Sequence, residues 1–423
     1  KAITIQGTLN SDGTLSTTID ANQSGNGFIL NSGEGTETVI RDLVLTGAMA
    51  TNASALYLDH STCSIINCLI TGNHSNLWGT VGFNGATGLL VIQDCTFTSN
   101  ERYGVAAKEI SLGNYTGEGD LVVNIDGCKF LNGGVAININ FAGDISIQNC
   151  EFSGSNQYGP LTGEGSKINF YRCDSATLTN CLIADNEIAW QWGNGYGSGG
   201  GINVLEVPLT IQDCVIRNNK AGMGGGVLIR NTSCEIIDSV IQDNWAMWGN
   251  GGGILLWNST CTVTGTTIHA NFASPITPDD CEPGNPECSP PASGGGGIGF
   301  FDWQNPSELT LVGSTLCQNV VHQIWGSNGE WTADENTYIG FSCLGGCCID
   351  NTCLPTLEYV CDNAGGTWQG IGSNCENADC PPAEPTGACC VSSGCVANNN
   401  DDCTALGGTW LGEGGSCDDC PAS

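Results

Sequence analysis

The sequence predicts an all-β protein: a right-handed, three-sided parallel β-helix of about 10–12 coils, followed by two small disulfide-rich modules. Three observations predict this fold. A short apolar motif recurs through residues 1–340, glycine runs recur between its copies, and 13 of the 26 cysteines fall in the last 81 residues. We therefore predict three parts, with the β-helix at 1–340, a first cysteine-rich module at 341–382 and a second at 383–423.

The recurring motif is clearest in PLTIQDCVIRNN, residues 208–219, and nine other segments align with it. Apolar residues stand three positions before and two positions after the place of Cys214. The residue just before that place is always Asp, Asn or Gly. Alternating apolar residues predict a strand with one buried face, and Asp, Asn or Gly predicts a tight corner. Parallel strands joined by crossovers wind right-handed.

An asparagine follows five residues after the Cys214 position in most copies, and a glycine run then leads into a third strand, as in GGGVLIR (224–230). The recurring asparagines are Asn73, Asn100, Asn186, Asn219, Asn244, Asn271 and Asn319. Stacked asparagines can satisfy corner backbone groups and bond to one another. Each coil is therefore predicted to contain three short strands and an asparagine-lined corner.

The pattern of Phe or Ile, two residues, then Asn, followed by Gly-Gly-Ile/Val, is seen at 216–219 with 224–227 and in four other coils. It resembles the β-helix repeats of bacterial surface proteins and of pectate-lyase-like solenoids. The resemblance covers residues 1–340 and implies the fold. It does not imply one activity, because this scaffold carries lyases, hydrolases, adhesins and inert rods alike.

The tail is a tandem duplication of about 35 residues with six cysteines in each copy. The first copy has Cys347, Cys348, Cys353, Cys361, Cys375 and Cys380, and the second has Cys389, Cys390, Cys395, Cys403, Cys417 and Cys420. Such short modules cannot bury a sufficient core, so three disulfides per copy are predicted, with the pairing left open. The modules resemble the GACC-type cysteine repeats that end many secreted proteins of planctomycete-like bacteria.

The rod cysteines allow two interpretations. Six of them occupy one motif position in successive coils: Cys68, Cys95, Cys128, Cys150, Cys181 and Cys214. Because Ser239, Thr266 and Ser314 fill the same position later, a buried thiol ladder is favoured over disulfides between adjacent coils. Three disulfides are predicted elsewhere, and they are Cys234–Cys261, Cys281–Cys288 and Cys317–Cys343.

The charge of the chain excludes two classes of partner. The net charge is −33, and no Lys or Arg follows Arg230. Such a chain repels nucleic acid and anionic lipid.

The cysteines predict a secreted protein, extracellular or at the cell surface, which we expect to be a mature form without its signal peptide. No apolar run approaches the roughly 18 residues of a membrane span. Six sequons permit glycosylation, at Asn22, Asn52, Asn73, Asn114, Asn231 and Asn258.

Candidate chemistry is sparse. Outward positions of the first strand of each coil are mostly Thr, Ser and Gln, so no carboxylate cluster with a base recurs there. The nearest candidate catalytic group lies at one corner and contains Asp185, Glu187, Asp213, Arg217 and Lys220, with a solvated turn as the alternative. No cofactor and no metal site is predicted. Calcium is a candidate partner of the acidic loops 10–14 and 278–287.

Two surfaces stand out in the pattern. By parity, the third strands place an apolar stripe outward, at Leu205, Leu228, Leu255, Trp257 and Phe301. We expect the cysteine modules or another subunit to cover that stripe. Loop tryptophans after the asparagine corner either stack sugars or pack together, and they are Trp78, Trp190, Trp192, Trp245 and Trp248.

These features predict a non-enzymatic extracellular structural protein that assembles with itself into a filament or surface layer. Rod ends, the apolar stripe and the tail would make the contacts. The alternatives are a polysaccharide lyase or hydrolase on this scaffold and a carbohydrate-binding adhesin, so the expected partners are the protein itself and an extracellular polysaccharide.

Overall fold

Short parallel strands are the main regular structure of the described residues. The computed structural model describes residues 2–420 except 76–78, 86, 103–104, 107, 114–120, 158–165, 189–198, 248–249, 275–294, 302–304, 321, 328, 341, 350–351, 357–360, 362–364, 372, 374, 376–386, 392–393, 399–402, 405 and 413–415. The chain divides into two units, Lys1–Phe341 and Ser342–Ser423.

The first unit is a right-handed parallel β-helix with three long sheets, as predicted. The 12-stranded first sheet contains Thr4–Gln6, Val39–Arg41, Ser64–Ile66, Gly88–Gln93, Leu121–Asp126, Asp144–Gln148, Ser175–Thr179, Leu209–Gln212, Ser233–Ile237, Thr260–Thr264, Glu308–Val312 and Glu330–Ala333. The 12-stranded second sheet contains Thr18–Asp20, Val44–Thr46, Leu69–Thr71, Thr96–Thr98, Lys129–Leu131, Glu151–Ser153, Leu182–Ala184, Val215–Arg217, Val240–Gln242, Thr267–His269, Thr315–Cys317 and Tyr338–Gly340. The 11-stranded third sheet contains Phe28–Leu30, Leu56–Asp59, Val81–Asn84, Ile110–Gly113, Ile137–Asn140, Ile168–Tyr171, Ile202–Leu205, Val227–Arg230, Ile254–Trp257, Gly295–Phe301 and His322–Ser327.

Two small corner sheets run between the second and third sheets. One contains Met49–Ala50, His74–Ser75, Glu101–Arg102 and Val105–Ala106, and the other contains Asn156–Gln157, Glu187–Ile188, Lys220–Ala221, Trp245–Ala246 and Phe272–Ala273. Neighbouring coils stack in register. The inward rings of Phe97, Phe130 and Phe152 lie 4.8 Å apart from one coil to the next, the spacing of adjacent strands.

The corner between the first and second sheets has the backbone that its residues predict. The residue before the Cys214 position has a positive φ in all ten coils, which is the left-handed conformation that Asp, Asn and Gly tolerate best. These residues are Asp42, Asn67, Asp94, Gly127, Asn149, Asn180, Asp213, Asp238, Gly265 and Gly313. The sequence motif thus marks the corner of each coil.

The corner after the second sheet contains a buried asparagine ladder, as predicted. Asn219 Nδ2 donates to Asn244 Oδ1 at 3.0 Å, and Asn244 Nδ2 donates to Asn271 Oδ1 at 2.9 Å. Each amide also bonds the backbone of neighbouring coils. The last glycine of the GGG run faces this ladder, because a Cβ at Gly226 or Gly253 would lie 3.1 Å from the Asn244 or Asn271 amide nitrogen. The glycine run therefore leaves room for the amides.

The ladder is interrupted where Gly133 and Ser155 replace asparagine, and two buried residues of opposite charge, whose charges interact, occupy that gap. Glu109 and Lys167 stand one residue before their third-sheet strands, and both are at most 1% exposed. Asn100 Nδ2 donates to Glu109 Oε2 at 2.7 Å, as it would to the missing amide. A Cβ at Gly133 would lie 2.6 Å from Glu109 Oε1. The carboxylate therefore takes the place of an asparagine side chain.

Electrostatics of this pair follow from burial. Desolvation raises the pKa of Glu109 to about 7, although the Asn100 hydrogen bond and the Lys167 charge oppose the rise. Desolvation likewise lowers the pKa of Lys167 to about 8, against the attraction of Glu109. Lys167 Nζ also donates to Ser153 O at 3.4 Å.

The six cysteines of the repeated motif position are buried free thiols, so the thiol-ladder interpretation describes the structure. Cys128 N–H donates to Cys150 Sγ at 3.4 Å, and Cys150 Sγ lies 2.9 Å from Gln148 O. In later coils, Cys214 N–H donates to Ser239 Oγ and Ser239 N–H to Thr266 Oγ1. The position therefore takes a small side chain that accepts an N–H from the preceding coil, which explains why Cys, Ser and Thr interchange there.

The predicted Cys234–Cys261 disulfide is wrong for this structure. The two residues are buried and in register on the first sheet, but their sulfur atoms lie 2.8 Å apart and both are free. The two cysteines are therefore unbonded in this structure. Cys281 and Cys288 lie outside the described residues, and their pairing remains a prediction.

The predicted outward apolar stripe is wrong for Leu228 and Leu255, which are 0% exposed. Their cover is the glycine run of the rod itself, because a Cβ at Gly224 would lie 2.9 Å from Leu228 Cβ and one at Gly251 2.7 Å from Leu255 Cβ. Neither the modules nor a second subunit is needed to bury them. The remaining members, Leu205, Trp257 and Phe301, are half-buried.

The second unit contains two small antiparallel sheets, one in each predicted module. The first has Gly345–Ile349, Thr352–Thr356 and Thr367–Ile371, the second has Gly387–Val391, Gly394–Asn398 and Thr409–Trp410, and a 3-10 turn spans Cys417–Asp419. The disulfides in these modules are Cys347–Cys361, Cys353–Cys375, Cys389–Cys403, Cys390–Cys420 and Cys395–Cys417. The second copy therefore pairs its cysteines first with fourth, second with sixth and third with fifth.

Three further cysteines, Cys317, Cys343 and Cys348, are also disulfide-bonded. Their individual pairings, including the predicted Cys317–Cys343 bridge, stay predictions, and Cys380 lies outside the described part of the chain. The described residues contain no helix with the length and apolar character required to cross a membrane.

Candidate functional site

The outward side of the first sheet is a regular array of hydroxyl and amide side chains, which we call the hydroxyl face. Its first column contains Ser146, Thr177, Thr210, Glu235, Thr262, Thr310 and Thr332, and its second contains Gln148, Thr179, Gln212, Ile237, Thr264 and Val312. Members of a column are paired coil to coil, so they repeat at about 4.8 Å along the rod.

Charge distinguishes this face from the rest of the chain. Glu235 is its one charged member, in a protein with a net charge of −33. Further carboxylates of the described residues border these columns, at Asp126, Asp144, Glu308 and Glu330. The side chains are exposed or half-buried. Hydroxyl and amide groups both donate and accept hydrogen bonds, so the face can match a partner rich in hydroxyl groups.

The structure brings four of the five candidate catalytic residues together in pairs. Arg217 Nη1 lies 4.0 Å from Asp185 Oδ1, and Lys220 Nζ lies 3.0 Å from Glu187 Oε1. Asp213 stands at the other end of the Val215–Arg217 strand, at the opposite corner of the coil. All five are exposed or half-buried. The arrangement is a set of cross-coil ion pairs on a solvated corner, which matches the alternative given for this group.

Trp245 is held within the same corner sheet and is 38% exposed. The Lys220 ammonium lies 4.4 Å from the centre of its ring, and the Phe272 ring meets it edge-on at 5.8 Å. Its indole N–H donates to Ser274 Oγ. Because neighbours from both adjacent coils contact the ring, packing accounts for Trp245 better than free sugar stacking does. Trp78, Trp190, Trp192 and Trp248 lie outside the described residues.

The sequons differ in access. Asn73 belongs to the buried ladder, is 1% exposed and donates to Asn100 Oδ1 at 3.1 Å. It cannot take a glycan in the folded protein, so that part of the glycosylation prediction is wrong. Asn22 and Asn231 are exposed, Asn52 and Asn258 are half-buried, and Asn114 is outside the described residues.

Metal-binding geometry is not evident in the described segments, where no three His, Cys, Asp or Glu side chains converge. In the candidate calcium loop 10–14, Asp12 Oδ1 accepts the Thr14 N–H at 3.0 Å and the Thr14 hydroxyl at 2.6 Å. These bonds lower the pKa of Asp12 and account for the turn. The loop 278–287 is not among the described residues.

Sequence reasoning missed two features of the rod. One is the Glu109–Lys167 pair, for which the signal was the absence of asparagine at Gly133 and Ser155. The other is the outward guanidinium of Arg230 on the third sheet. Its only signal was its place as the last basic residue of the chain.

Comparison with known proteins agrees with the architecture. The model of the family described as right-handed beta helix region matches residues 54–268 and 166–338. A comparison with curated protein sequences finds no match. Among solved structures, a mutant of the periplasmic alginate epimerase AlgG aligns with a TM-score of 0.32 and 10% identity, over 75% of this chain and 78% of that chain.

Two further solved structures are similar at the same distant level. The Azotobacter vinelandii mannuronan C-5 epimerase AlgE4 A-module has a TM-score of 0.32 and 11% identity, over 72% of this chain and 86% of that chain. The catalytic domain of a GH87 alpha-1,3-glucanase has a TM-score of 0.29 and 11% identity, over 81% and 64%. These similarities are too remote to transfer any activity. The family match spans more than half of the sequence, and the chain belongs to the right-handed beta helix family.

Proposed function

We propose that this protein is a secreted, non-enzymatic carbohydrate-binding protein whose hydroxyl face holds an extended, uncharged polysaccharide. The observation that carries the proposal is the in-register column of Thr177, Thr210, Thr262 and Thr310, interrupted only by Glu235. The tail disulfides support secretion, because such bonds persist in oxidising compartments.

The chemistry of the face favours a neutral polymer. Each hydroxyl or amide contact with a sugar contributes only about 0.5–1.5 kcal/mol, since it replaces a contact with water. Useful affinity therefore requires many contacts repeated along one chain. A polyanionic polysaccharide would meet the field of a protein with a net charge of −33, which opposes its approach.

The proposal includes that the protein binds the polysaccharide without cleaving it. Hydrolysis of a glycosidic bond uses two carboxyl groups on opposite sides of that bond. The described corner carboxylates Asp185 and Glu187 face the cations Arg217 and Lys220 instead. A polysaccharide lyase or hydrolase remains the rival, and release of reducing ends or unsaturated products from any bound polymer would support it.

Depletion assays with insoluble cellulose, chitin and starch would test the binding proposal, with soluble alginate as an acidic comparison. A variant carrying Thr177→Glu, Thr210→Glu and Thr262→Glu places three charges in the centre of the face. We expect it to lose binding. The matched control carries Thr96→Glu, Thr98→Glu and Thr267→Glu on the second sheet, at half-buried outward positions of the same kind, and should bind like the wild type.

Two results would overturn the proposal. One is a wild-type protein that binds none of the three neutral polymers. The other is equal binding by the face variant and the wild type.

Self-assembly into a filament or surface layer is the second candidate function, and one observation favours it. In the described part of the rod, exposed large apolar side chains lie in the first coils and in the last coils, apart from Trp245. They are Ile3, Leu9, Ile29, Met49, Val312, Val320 and Trp331. End-to-end contact between copies would bury them. Sedimentation of the full chain at rising concentration, with and without calcium, should show growth, and a concentration-independent monomer would refute it.

A further inference from the structure

Arg230 is a cation without a carboxylate partner in a strongly acidic protein. The other described basic side chains near acids are paired, as Arg41–Asp42, Arg172–Glu206, Arg217–Asp185 and Lys220–Glu187. Within the described residues, no carboxylate lies at ion-pair distance from Arg230. The Glu206 side chain of the coil below accepts from Arg172 Nε at 2.7 Å instead.

The guanidinium is held in place by a chain of amides on the outward side of the third sheet. Arg230 Nη2 donates to Asn203 Oδ1 at 3.1 Å, and Asn203 Nδ2 donates to Asn169 Oδ1 at 3.0 Å. Asn169 Nδ2 then donates to the Ser166 carbonyl at 3.1 Å. Every amide is thus oriented with its oxygen toward Arg230. The two asparagines are 7% and 4% exposed, so this support is rigid.

An aromatic ring completes the surroundings. Arg230 pairs in register with Leu205 on one side and Trp257 on the other. Its Cζ lies 6.0 Å from the centre of the Trp257 ring, and that ring packs edge-on against Phe301 at 4.8 Å. The cation is therefore placed between an amide and an indole, at the half-buried end of a strand.

No described carboxylate balances the positive charge of Arg230. Desolvation lowers its pKa, and its Nε is buried with no hydrogen-bond partner. Withdrawing an ion from water without a counter-ion is unfavourable. A preorganised guanidinium in such a place is suited to bind an external oxyanion.

We propose that Arg230, Asn203 and Trp257 form a binding site for a single oxyanion, the carboxylate of a sugar acid. The planar guanidinium matches such groups with two parallel hydrogen bonds, and the indole offers an apolar surface to the sugar ring. A net charge of −33 disfavours polyanions, so an isolated acidic unit on an otherwise neutral saccharide fits best. The site lies on the third sheet, apart from the hydroxyl face of the first sheet.

Nuclear magnetic resonance of the arginine side chains would test this site directly. The chain has only five arginines, so few Nε–Hε signals are expected, and the one that Arg230→Gln removes belongs to Arg230. Titration with glucuronate should move that signal and leave the other arginine signals in place. The methyl ester of glucuronate, which has no charge, should leave the Arg230 signal in place. A parallel titration with inorganic sulfate shows whether the site binds a free oxyanion or requires the sugar acid.

Arg230→Gln keeps a donor for Asn203 but removes the charge, and it should weaken glucuronate binding by about tenfold or more. Arg217→Gln is the matched control, because that cation is exposed and already paired with Asp185, and it should bind normally. An Arg230 signal that ignores both glucuronate and sulfate would overturn the site. A response to sulfate alone would overturn its assignment to a sugar acid. Unchanged affinity in a folded Arg230→Gln protein would overturn the role of the guanidinium.

Because the two sites lie on different sheets, failure of the neutral-polymer assay leaves this measurement unaffected, and the reverse also holds.

Discussion

Cysteine has opposite uses in the two units of the molecule. In the rod, Cys68 to Cys214 form a column of buried thiols that accept backbone N–H groups from adjacent coils. In the tail, the described cysteines are joined in disulfides. The same side chain thus acts as a small hydrogen-bonding core residue in the ladder and as a covalent link in the tail, while Cys317 in the last part of the rod is also disulfide-bonded.

The difference follows from the amount of core that each unit can bury. A rod of stacked coils buries a continuous apolar column, and its thiols are shielded from solvent. Desolvation raises the pKa of Cys63 to about 12 and that of Cys95 well above its ordinary value. At Cys63 and Cys95 the reactive thiolate is therefore scarce, whereas hydrogen bonds from Cys150 and Cys95 lower the pKa of Cys128 to about 5. A module of about 35 residues has too small a core to fold without crosslinks.

The largest expected effect is the loss of a tail disulfide. Replacing Cys389 and Cys403 together by serine removes one link from the second module and should cost about 2–5 kcal/mol, enough to unfold it. Hydrogen exchange should rise throughout 387–420 while the rod stays protected. The equivalent replacement of Cys347 and Cys361 tests the matching disulfide in the first copy of the duplicated module. Unaltered protection of the second module would contradict the view that disulfides replace a core there.

The rod should be most sensitive at the gap in its asparagine ladder. Glu109→Gln leaves Lys167 as a buried cation without its partner and should lower the free energy of unfolding by about 3–5 kcal/mol. The double variant Glu109→Gln/Lys167→Met removes both charges and should recover most of that loss. Denaturant unfolding would measure both. Equal stability of the single variant and the wild type would mean that the pair does not hold the gap together.

The same pair predicts a pH dependence. Glu109 has a raised pKa, so its contribution to stability is complete below about 4.5 and is lost as pH rises through about 7. Lys167 has a lowered pKa, so its contribution is complete above about 10.5 and is lost as pH falls through about 8. Relative to the double variant, the wild type should be least stable between about 7 and 8. A difference that does not vary with pH would refute the assignment.

The smallest effect should come from the thiol ladder itself. Cys150→Ser keeps an acceptor for the Cys128 N–H and should change stability by about 1 kcal/mol or less. Cys150→Val has a similar size but leaves that N–H unpaired, which should cost about 1–3 kcal/mol. The difference between the two unfolding free energies measures the hydrogen bond. If valine is tolerated as well as serine, the ladder position selects for volume alone.

Local sequence was sufficient for most of the rod. Asp213 and its equivalents marked each corner, since few residues adopt a positive φ, and Asn219 and its equivalents marked the ladder. Prediction failed for Leu228 and Leu255 because parity tells which side of a strand a residue faces but not what covers that side. It failed for Asn73 because a sequon describes three residues and not their burial.

The functional residues were harder for a related reason. The corner group was recognised from the proximity of Asp185, Glu187, Arg217 and Lys220 along the repeat, and the structure pairs them across coils. The sequence did not identify Arg230 as a binding residue, because its distinguishing property is that no carboxylate lies near its guanidinium. That property depends on neighbours such as Asn203 and Glu206, which are 27 and 24 residues away in the chain.

By itself, the sequence determined the coil: its three strands, its corners, its asparagine ladder and the small side chain that stands beside each corner. Each of these depends on the conformational preference or the size of a single residue, and repetition makes them visible. Tertiary structure decided which side chains meet between coils. It buried Glu109 and Lys167 where their charges interact, covered Leu228 with glycine backbone, left Cys234 and Cys261 unbonded and kept the Arg230 guanidinium beyond ion-pair distance of every described carboxylate. These outcomes depend on distances between coils, which no local pattern records.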